Sequence, residues 1–297
     1  MSMDNETLSQ FLDTLDRFVR ERLIPCETEV AENDAIPQAL AEEIRNMGLF
    51  GMSIPEAFGG LGLTMSEEVK AAFILGQASP AFRSLFGTNN GIGSQGIIID
   101  GTPEQREHYL PRLATGELIS SFALTEPDAG SDAGSLSTSA KRDSEHFVIN
   151  GTKRYITNAP LAGLFTVFAR TKPGTKGSSG VTAFLVDGTT PGISFGARDR
   201  KMGQKGSQTC DVIFQDVRVH ESSIIGGPEF ENKGFRTAMK VLDRGRLHIS
   251  AICVGAAERL IKESLAYALE RKQFGEPLAE KQLIQAMLAA SKAEAFA

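Results

Sequence analysis

The sequence predicts an α+β fold built from an N-terminal all-α domain, a central antiparallel β-domain and an incomplete C-terminal helical bundle. Apolar residues recur at helical spacing up to residue 118. Short alternating runs that are typical of strands fill residues 119–230, and helical periodicity returns in residues 231–297. Strands grouped in one block, with helices before and after it, favour α+β over a parallel βαβ sheet. These three blocks are the predicted domains.

Composition and charge exclude several classes of function. The net charge of -6 argues against a nucleic-acid partner, which requires a basic face. No apolar run reaches the length of a membrane span, and the polar, acidic residues 1–10 do not form a signal peptide. The cysteines are far apart and the histidines show no ligand spacing. We therefore expect reduced thiols, no metal site and a cytoplasmic protein.

Start and stop signals divide the first domain into helices. Apolar spacing over residues 5–24 predicts a helix that Pro25 ends, and Pro37 begins a second helix that Gly48 ends. Thr64 and Glu67 form a capping-box pattern that begins a third helix, and Thr102, Pro103 and Gln105 begin another. Residues 91–96 match the Gly-x-Gly-x-x-Gly dinucleotide fingerprint, but no strand precedes them. We interpret them instead as a helix that needs small residues for close packing.

The second domain reads as a series of strands. Residues 147–156 predict a hairpin with Asn150 and Gly151 at its tight turn. Further strands are predicted at residues 164–170, 181–186 and 211–219.

Two helices are predicted in the third domain. The first is long and runs from Gly234 to about Arg271. The second begins near Glu280 and reaches Ala297 without a stop signal, so we expect a chain that is cut short at its C terminus.

One loop in the β-domain suggests a binding site. The apolar run that begins at Phe122 breaks at Pro127 into a polar turn containing Gly130, Ser131 and Asp132. Such a turn presents backbone N–H groups and small hydroxyls, and it allows a flat or anionic group to approach closely. By composition alone, an ordinary surface β-turn fits these residues equally well.

The full string Thr-Glu-Pro-Asp-Ala-Gly-Ser-Asp at residues 125–132 resembles the flavin-binding signature of the acyl-CoA dehydrogenase family. Three further stretches match that family in the same order: residues 153–159, residues 201–204 leading to 214–219, and residues 271–278. The resemblance implies an FAD-dependent enzyme that desaturates an acyl-CoA thioester between its α- and β-carbons. Partners implied in the same way are an electron-transfer flavoprotein or similar acceptor, and further copies of the chain in a homotetramer.

The resemblance also assigns the cofactor site. The Thr125 backbone would face the flavin N1–C2=O edge, the Thr157 hydroxyl would lie near N5, and Tyr155 would lie against the ring where most relatives have Trp. The implied cofactor-binding residues of the β-domain are Phe122, Leu124, Thr125, Gly130, Ser131, Tyr155, Ile156 and Thr157. In the family, the segment after the long helix reaches the flavin of a neighbouring subunit, which adds Arg271, Gln273, Phe274, Lys281 and Gln282. From the residues alone, Arg271 also fits a solvated helix end.

The implied substrate-binding residues are Ser131, Asp243 and Arg246. Asp243 and Arg246 are three apart on a helix, so an ion pair without a catalytic role is the alternative. The family places its catalytic base either beside Arg246, where this chain has Gly245, or in helices beyond Ala297. We therefore predict that no catalytic base is present in this chain and that its activity is reduced by at least the roughly 10²–10⁴ that such a base contributes. Two alternative functions follow: a catalytically incompetent scaffold or binding protein, or a dehydrogenase of acyl-carrier-protein thioesters.

Overall fold

The computed structural model describes residues 3–297, and its N-terminal part is helical as predicted. The capping boxes at Thr64 and Thr102 are both present, each with its third helical residue bonded back to the cap. The helices of this part are α1 (Asn5–Phe18), α2 (Glu27–Asn33), α3 (Gln38–Asn46), α4 (Met65–Leu75), α5 (Pro80–Asn90), α6 (Gln95–Asp100) and α7 (Pro103–Ala114).

Pro25 does not end the first helical segment, contrary to the prediction. After α1 the chain passes through a π-helical turn at Val19–Leu23 and a 3-10 turn at Ile24–Cys26, and then continues as α2. Pro25 occupies the start of the 3-10 turn, where its missing N–H and its fixed φ cost little. The change of helix type therefore accommodates the proline, and helical structure extends to Asn33.

The β-domain is one seven-stranded sheet with the order β1-β4-β2-β3-β7-β6, and β5 pairs with β4. Most neighbours are antiparallel, but β4 runs parallel to both β1 and β2. The strands are β1 (Ser120–Ala123), β2 (Ser139–Asp143), β3 (His146–Thr157), β4 (Leu164–Arg170), β5 (Val181–Asp187), β6 (Ile193–Phe195) and β7 (Thr209–His220). The predicted α+β class with a β-block between helices is confirmed.

The predicted hairpin at residues 147–156 is wrong. This segment belongs to the single continuous strand β3, and the tight turn lies one strand earlier, where Ser144 takes a φ of 58°. Gly151 serves a close approach instead, because a Cβ there would lie 2.4 Å from the Thr138 Oγ1. The Asn150 side chain bonds across the sheet to Asp216, which replaces the turn interactions expected of it.

Two more segments complete the chain: the helix α8 (Gly234–Glu270) and the helix α9 (Gln282–Phe296), joined by the short strands β8 (Lys272–Gln273) and β9 (Glu276–Pro277). The predicted long helix is confirmed. It packs backbone against backbone on α4, since a Cβ at Gly255 would lie 2.0 Å from the Phe73 carbonyl oxygen, and one at Gly76 would lie 2.3 Å from that of Ile252. This crossing fixes the distance between the two helices.

Residues 91–96 form the turn between α5 and α6 and the first residues of α6, so they are neither a strand-loop-helix unit nor one helix. Close packing requires a small residue at Gly93, because a Cβ there would lie 1.9 Å from the Ser120 Oγ.

The apolar core has one cluster among the N-terminal helices, one within the sheet, and one where α6, α7 and α8 pack on the sheet. No helix within residues 3–297 has the length and apolarity required to cross a membrane.

Candidate functional site

A cavity of about 580 Å³ lies between the end of β1, the end of β3 and the start of α8. Its lining combines small polar residues from the sheet with apolar residues from the helices. The eight β-domain residues that were assigned to the cofactor all line it: Phe122, Leu124, Thr125, Gly130, Ser131, Tyr155, Ile156 and Thr157. Below, this space is called the ring cavity.

A buried ion pair shapes the loop that carries Thr125. The Lys153 ammonium is fully buried and donates to the Leu124 carbonyl at 3.0 Å and to the Glu126 carboxylate at 2.8 Å. The Arg154 N–H donates to the Thr125 carbonyl at 2.8 Å. Three consecutive residues are therefore held from β3, and the Thr125 carbonyl is turned towards β3.

Glu126 also anchors the turn that follows. Its carboxylate accepts the N–H groups of Ser137 and Thr138 at 2.6 and 2.9 Å, and its backbone bridges to Ala129. Burial by itself raises the pKa of Glu126, but Lys153 and the hydrogen bonds outweigh it and lower this pKa to about 2. Burial lowers the pKa of Lys153 to about 8, against the attraction of Glu126. Both groups are therefore charged at neutral pH.

Tyr155 projects into the ring cavity because of a bulge in β3. The pairing with β7 shifts register between Lys153 and Ile156, and Tyr155 takes a φ of 58°. Its side chain remains 63% exposed, with the Arg154 guanidinium 4.2 Å from the ring centroid. Arg154 is itself fixed by carboxylates of neighbouring segments. The tyrosine ring is therefore held at the cavity wall by a conformation that bulky residues seldom adopt.

Three hydroxyls at the ring cavity have no protein partner. Among the hydrogen bonds of residues 3–297, none involves the side chains of Thr125, Ser131 or Thr157. The Thr125 N–H is likewise without an acceptor in that part of the chain. Donors left free beside apolar walls and an aromatic ring match a flat heterocycle with acceptor atoms on its edge, so the residues fit the isoalloxazine ring of a flavin.

A second cavity of about 570 Å³ continues from the first and shares Ile92, Thr157, Leu242 and Arg246 with it. We call it the acyl cavity. One wall is a face of α5, and the opposite wall is a face of α8. Gly87, Gly91 and Gly245 lie on these walls and leave room between the helices. The cavity is therefore a slot of largely apolar lining that opens at the edge of the ring cavity.

The three predicted substrate residues differ in whether they line the cavities. Asp243 and Arg246 form an ion pair on α8, and both side chains are largely exposed. Arg246 lines both cavities, Ser131 lines the ring cavity, and Asp243 lines neither. Among the described residues, Asp132 is the only carboxylate in either lining, and it accepts a hydrogen bond from Ser135.

The segment after α8 does not reach either cavity. Arg271, Gln273 and Phe274 lie in or next to the β8–β9 hairpin, and Phe274 is 96% exposed. Lys281 and Gln282 begin α9 beside the same hairpin. Their assignment to a neighbouring subunit's flavin stays a prediction. Lys281 is ion-paired with Glu276 within the chain, whereas the other four residues are exposed.

Sequence reasoning missed Lys153 and Glu126 as a pair and missed the charged residues around the acyl cavity. Lys153 lies inside a matched motif, and its place between buried strand positions was the available signal. The described residues contain no group of three or more metal-ligating side chains close enough to bind a metal ion.

Comparison with known proteins decides the family. Residues 5–117, 121–217 and 232–297 match the N-terminal, middle and C-terminal domains of acyl-CoA dehydrogenases, respectively. The chain is 36% identical over 280 residues to the acyl-CoA dehydrogenase of Bacillus subtilis, covering 94% of this chain and 73% of that protein. The chain belongs to the acyl-CoA dehydrogenase family.

Other members of the acyl-CoA dehydrogenase family add chemistry and shape. The chain is 38% identical over 269 residues to a subunit of the caffeyl-CoA reductase–Etf complex of Acetobacterium woodii, covering 90% of this chain and 70% of that one. Butyryl-CoA dehydrogenase from Megasphaera elsdenii superposes with a TM-score of 0.92 at 32% identity, over 100% of this chain and 78% of that chain. Acyl-CoA dehydrogenases and reductases therefore share this fold.

Proposed function

We propose that the protein binds FAD in the ring cavity and carries out α,β-desaturation of an acyl-CoA thioester in the adjoining acyl cavity. The observation that carries this proposal is the set of donors at Thr125, Ser131 and Thr157 that line the ring cavity and have no partner among residues 3–297, with Thr157 also lining the acyl cavity. Bound FAD would supply a hydride acceptor at its N5, and the substrate would lose a β-hydride and an α-proton.

The chain's own residues would bind and orient the flavin and the thioester. The Thr125 N–H lies where it can stabilise charge on the flavin N1–C2=O edge, and Thr157 lies at the mouth of the acyl cavity. The aromatic ring of Tyr155 provides a flat contact. Arg246 borders both cavities and would hold the polar part of the thioester. These roles position two reactants next to each other, which is a large part of such catalysis.

The proton acceptor is not assigned. Gly245 lines the acyl cavity and has no side chain that could act as a base. We keep the prediction that residues 1–297 supply no catalytic base.

The test is made on the purified protein. We expect it to be yellow, to release FAD on denaturation, and to lose the flavin absorbance when an acyl-CoA is added without oxygen, at a rate that the missing base makes slow. Replacing Thr157 with Val should weaken the flavin's interaction at N5, whereas Thr166→Val, within β4, serves as a matched control. A protein that neither copurifies with flavin nor binds added FAD would contradict the proposal.

A non-catalytic protein of the same fold is the second candidate, and Gly245 is the observation that favours it. It predicts that flavin or acyl-CoA binds without flavin reduction, even with excess thioester. The choice between CoA and an acyl carrier protein is decided by comparing the rates of flavin reduction with both thioesters.

Partners and location are part of the same proposal. The relative in Acetobacterium woodii is a subunit of an Etf complex, which supports an electron-transfer flavoprotein as the acceptor. We also propose a homotetramer in the cytoplasm. Sedimentation of the flavin-loaded protein, with and without candidate acceptors, would check the assembly.

A further inference from the structure

The end of strand β3 is joined to helix α5 by one buried side chain. Asn158 follows Thr157, the last residue of β3, and only 1% of its surface is exposed. Its amide nitrogen lies 2.8 Å from the Ser84 carbonyl oxygen, 3.1 Å from that of Leu85 and 3.0 Å from the Thr88 Oγ1. All three acceptors belong to α5, so the two N–H groups of one amide bind the strand end to this helix.

Asparagine suits this position in two ways. The backbone of Asn158 has a φ of 61° and a ψ of 10°, in the left-handed region that asparagine occupies more readily than most residues. Its side chain also supplies N–H donors, whereas the carboxylate of an aspartate has only acceptors. The backbone N–H of Asn158 donates to the Gln208 carbonyl at 2.8 Å, so the residue is fixed next to the start of β7 as well.

This contact joins the walls of the two cavities. Ser84 and Thr88 line the acyl cavity, whereas Thr157 lines both the acyl cavity and the ring cavity. The Ser121 Oγ donates to the Thr157 carbonyl at 2.7 Å, so Thr157 is held from β1 on one side and through Asn158 from α5 on the other. The α5 wall and the hydroxyl that would face flavin N5 are therefore held at one spacing by the Asn158 amide.

Spacing of this kind affects rate more than affinity. Reaction requires the reacting atoms to lie about 3–3.5 Å apart, and a misplacement of about 1 Å costs roughly 100-fold in rate. The loss of one hydrogen bond to a ligand costs only roughly 2- to 10-fold in affinity. A residue that sets the spacing is thus recognised by a rate that falls while binding is retained.

We propose that Asn158 is a positioning residue for hydride transfer, because its amide holds the α5 wall at the distance from Thr157 that brings the substrate β-carbon to flavin N5. The inference rests on the function proposed above and adds a residue that lines neither cavity. Asn158 acts through Thr157 and α5 and contacts neither reactant.

The first experiment tests the contact in the flavin-free protein by hydrogen–deuterium exchange. Asn158→Gly removes the amide and keeps the left-handed backbone, so the variant should fold. We expect faster exchange in residues 84–88 and 156–161. The matched control is Asn90→Ala, because the Asn90 amide also leaves α5 but donates to the Leu49 carbonyl among the N-terminal helices. This control should leave exchange in residues 156–161 unchanged.

The second experiment separates rate from affinity in the flavin-loaded protein. Flavin reduction by acyl-CoA is followed by absorbance without oxygen, together with the acyl-CoA concentration for half-maximal rate and the dissociation constant of FAD. In Asn158→Gly the saturating rate should fall roughly 100-fold. Neither of the other two quantities should rise by more than about 10-fold.

Two variants separate positioning from stability. Asn158→Ala adds left-handed strain, so it should unfold at a lower temperature than Asn158→Gly and show the same reduced rate. Asn90→Ala should also lower the unfolding temperature, because it removes buried hydrogen bonds, but it should reduce flavin at the wild-type rate.

The outcomes are distinct. Unchanged exchange or a wild-type rate in Asn158→Gly, or an equal fall in rate in Asn90→Ala, overturns the assignment of Asn158 and leaves the proposed function intact. A wild type that binds no FAD, or whose flavin is not reduced by acyl-CoA, overturns the proposed function and this inference with it.

Discussion

Tyr155 shows how one residue can carry strain for a site. Its left-handed backbone conformation is unfavourable for an aromatic residue, and it is kept because the Lys153–Ile156 bulge turns the ring out of the sheet. Gly245 acts in the opposite way, because its lack of a side chain leaves the acyl cavity wide at that point. Both residues lie beside the meeting point of the two cavities, so each can be tested through bound ligand.

Replacing Tyr155 with Ala should weaken FAD binding by roughly 2- to 10-fold, because an aromatic contact is worth about 0.5–1.5 kcal/mol beyond its buried area. Tyr155→Phe keeps the ring and should bind as the wild type does. Fluorescence titration of the flavin-free protein measures both dissociation constants. Equal weakening in the two variants would assign the effect to the hydroxyl and contradict a stacking role.

Replacing Gly245 with Glu should create a base in the acyl cavity. A Cβ at this position would lie 3.9 Å from Ile92, which is ordinary contact, and the position lines the cavity. General-base catalysis is worth roughly 10²–10⁴ in rate, and flavin reduction by acyl-CoA should rise accordingly. Gly245→Gln has the same shape without the basicity and should not show the rise. Stopped-flow absorbance of the flavin makes the comparison.

At the scale of elements, the site depends on how β3 holds the loop after β1. Lys153 reaches the residues before and after Thr125, and Glu126 extends the contact to residues 137 and 138. Removing one partner of a buried ion pair leaves an uncompensated charge, which costs more than removing both. The conformation of this loop therefore depends on both members of the pair.

Lys153→Met should lower the free energy of unfolding by about 3–5 kcal/mol, because Glu126 is then buried without a cation. The double variant Lys153→Met with Glu126→Gln should recover part of that loss. An exposed pair, Asp16 with Arg20, supplies the control, and its removal should cost about 1 kcal/mol or less. Urea unfolding at neutral pH measures all three, and an additive double variant would argue against coupling.

Elements that depend on local signals were predictable from the sequence. The helices that begin at Thr64 and Thr102 follow from capping residues three positions apart, and the apolar period located α8. The Asn150–Gly151 hairpin failed because the role of Gly151 is set by Thr138, which is distant in sequence and adjacent in the sheet. A dipeptide that is typical of a turn does not reveal such a neighbour.

The residues of the candidate site likewise fall into those that the sequence predicted and those that it did not. The β-domain residues assigned to the flavin, which line the ring cavity, were found because a linear motif carries them. The Glu126–Lys153 pair joins residues that are 27 apart, and the cluster of charged side chains around Arg83 needs the three helices α4, α5 and α8. Neither arrangement follows a regular spacing in the sequence, so only the folded structure shows that these charged residues are neighbours.

Over the whole molecule, α8 joins the parts of the chain. Its first half lines both cavities, and its middle packs on α4. The buried charges of Glu68, Arg83 and Arg244 meet His248 at this junction, and they link the stability of the N-terminal helices to that of α8.

The stability of the molecule should therefore fall in acid through His248. Its pKa is near 6.5 when unfolded and about 3 when folded, so the unfolded state binds more protons between these values. Stability is present above pH 6.5 and is lost as the pH falls towards 3, by up to roughly 5 kcal/mol. The raised pKa of Glu68, due to burial, opposes part of this loss.

Thermal unfolding from pH 7 to pH 4 checks the assignment. His248→Gln should show a shallower decline than the wild type, whereas replacing the exposed His108 with Gln should leave the decline unchanged. If the melting temperature fell equally with pH in the wild type and in His248→Gln, groups other than His248 would be responsible for the decline.

The contact of Gly76 with Gly255 has a bearing on which molecules fit the slot. Those glycines let two backbones touch outside the linings of both cavities, and α8 is one continuous helix from that contact to the half that lines them. A methyl group added at either crossing point would push α8 outward and widen the slot along its length. Acyl chains of greater bulk would then enter although no residue touching them had changed.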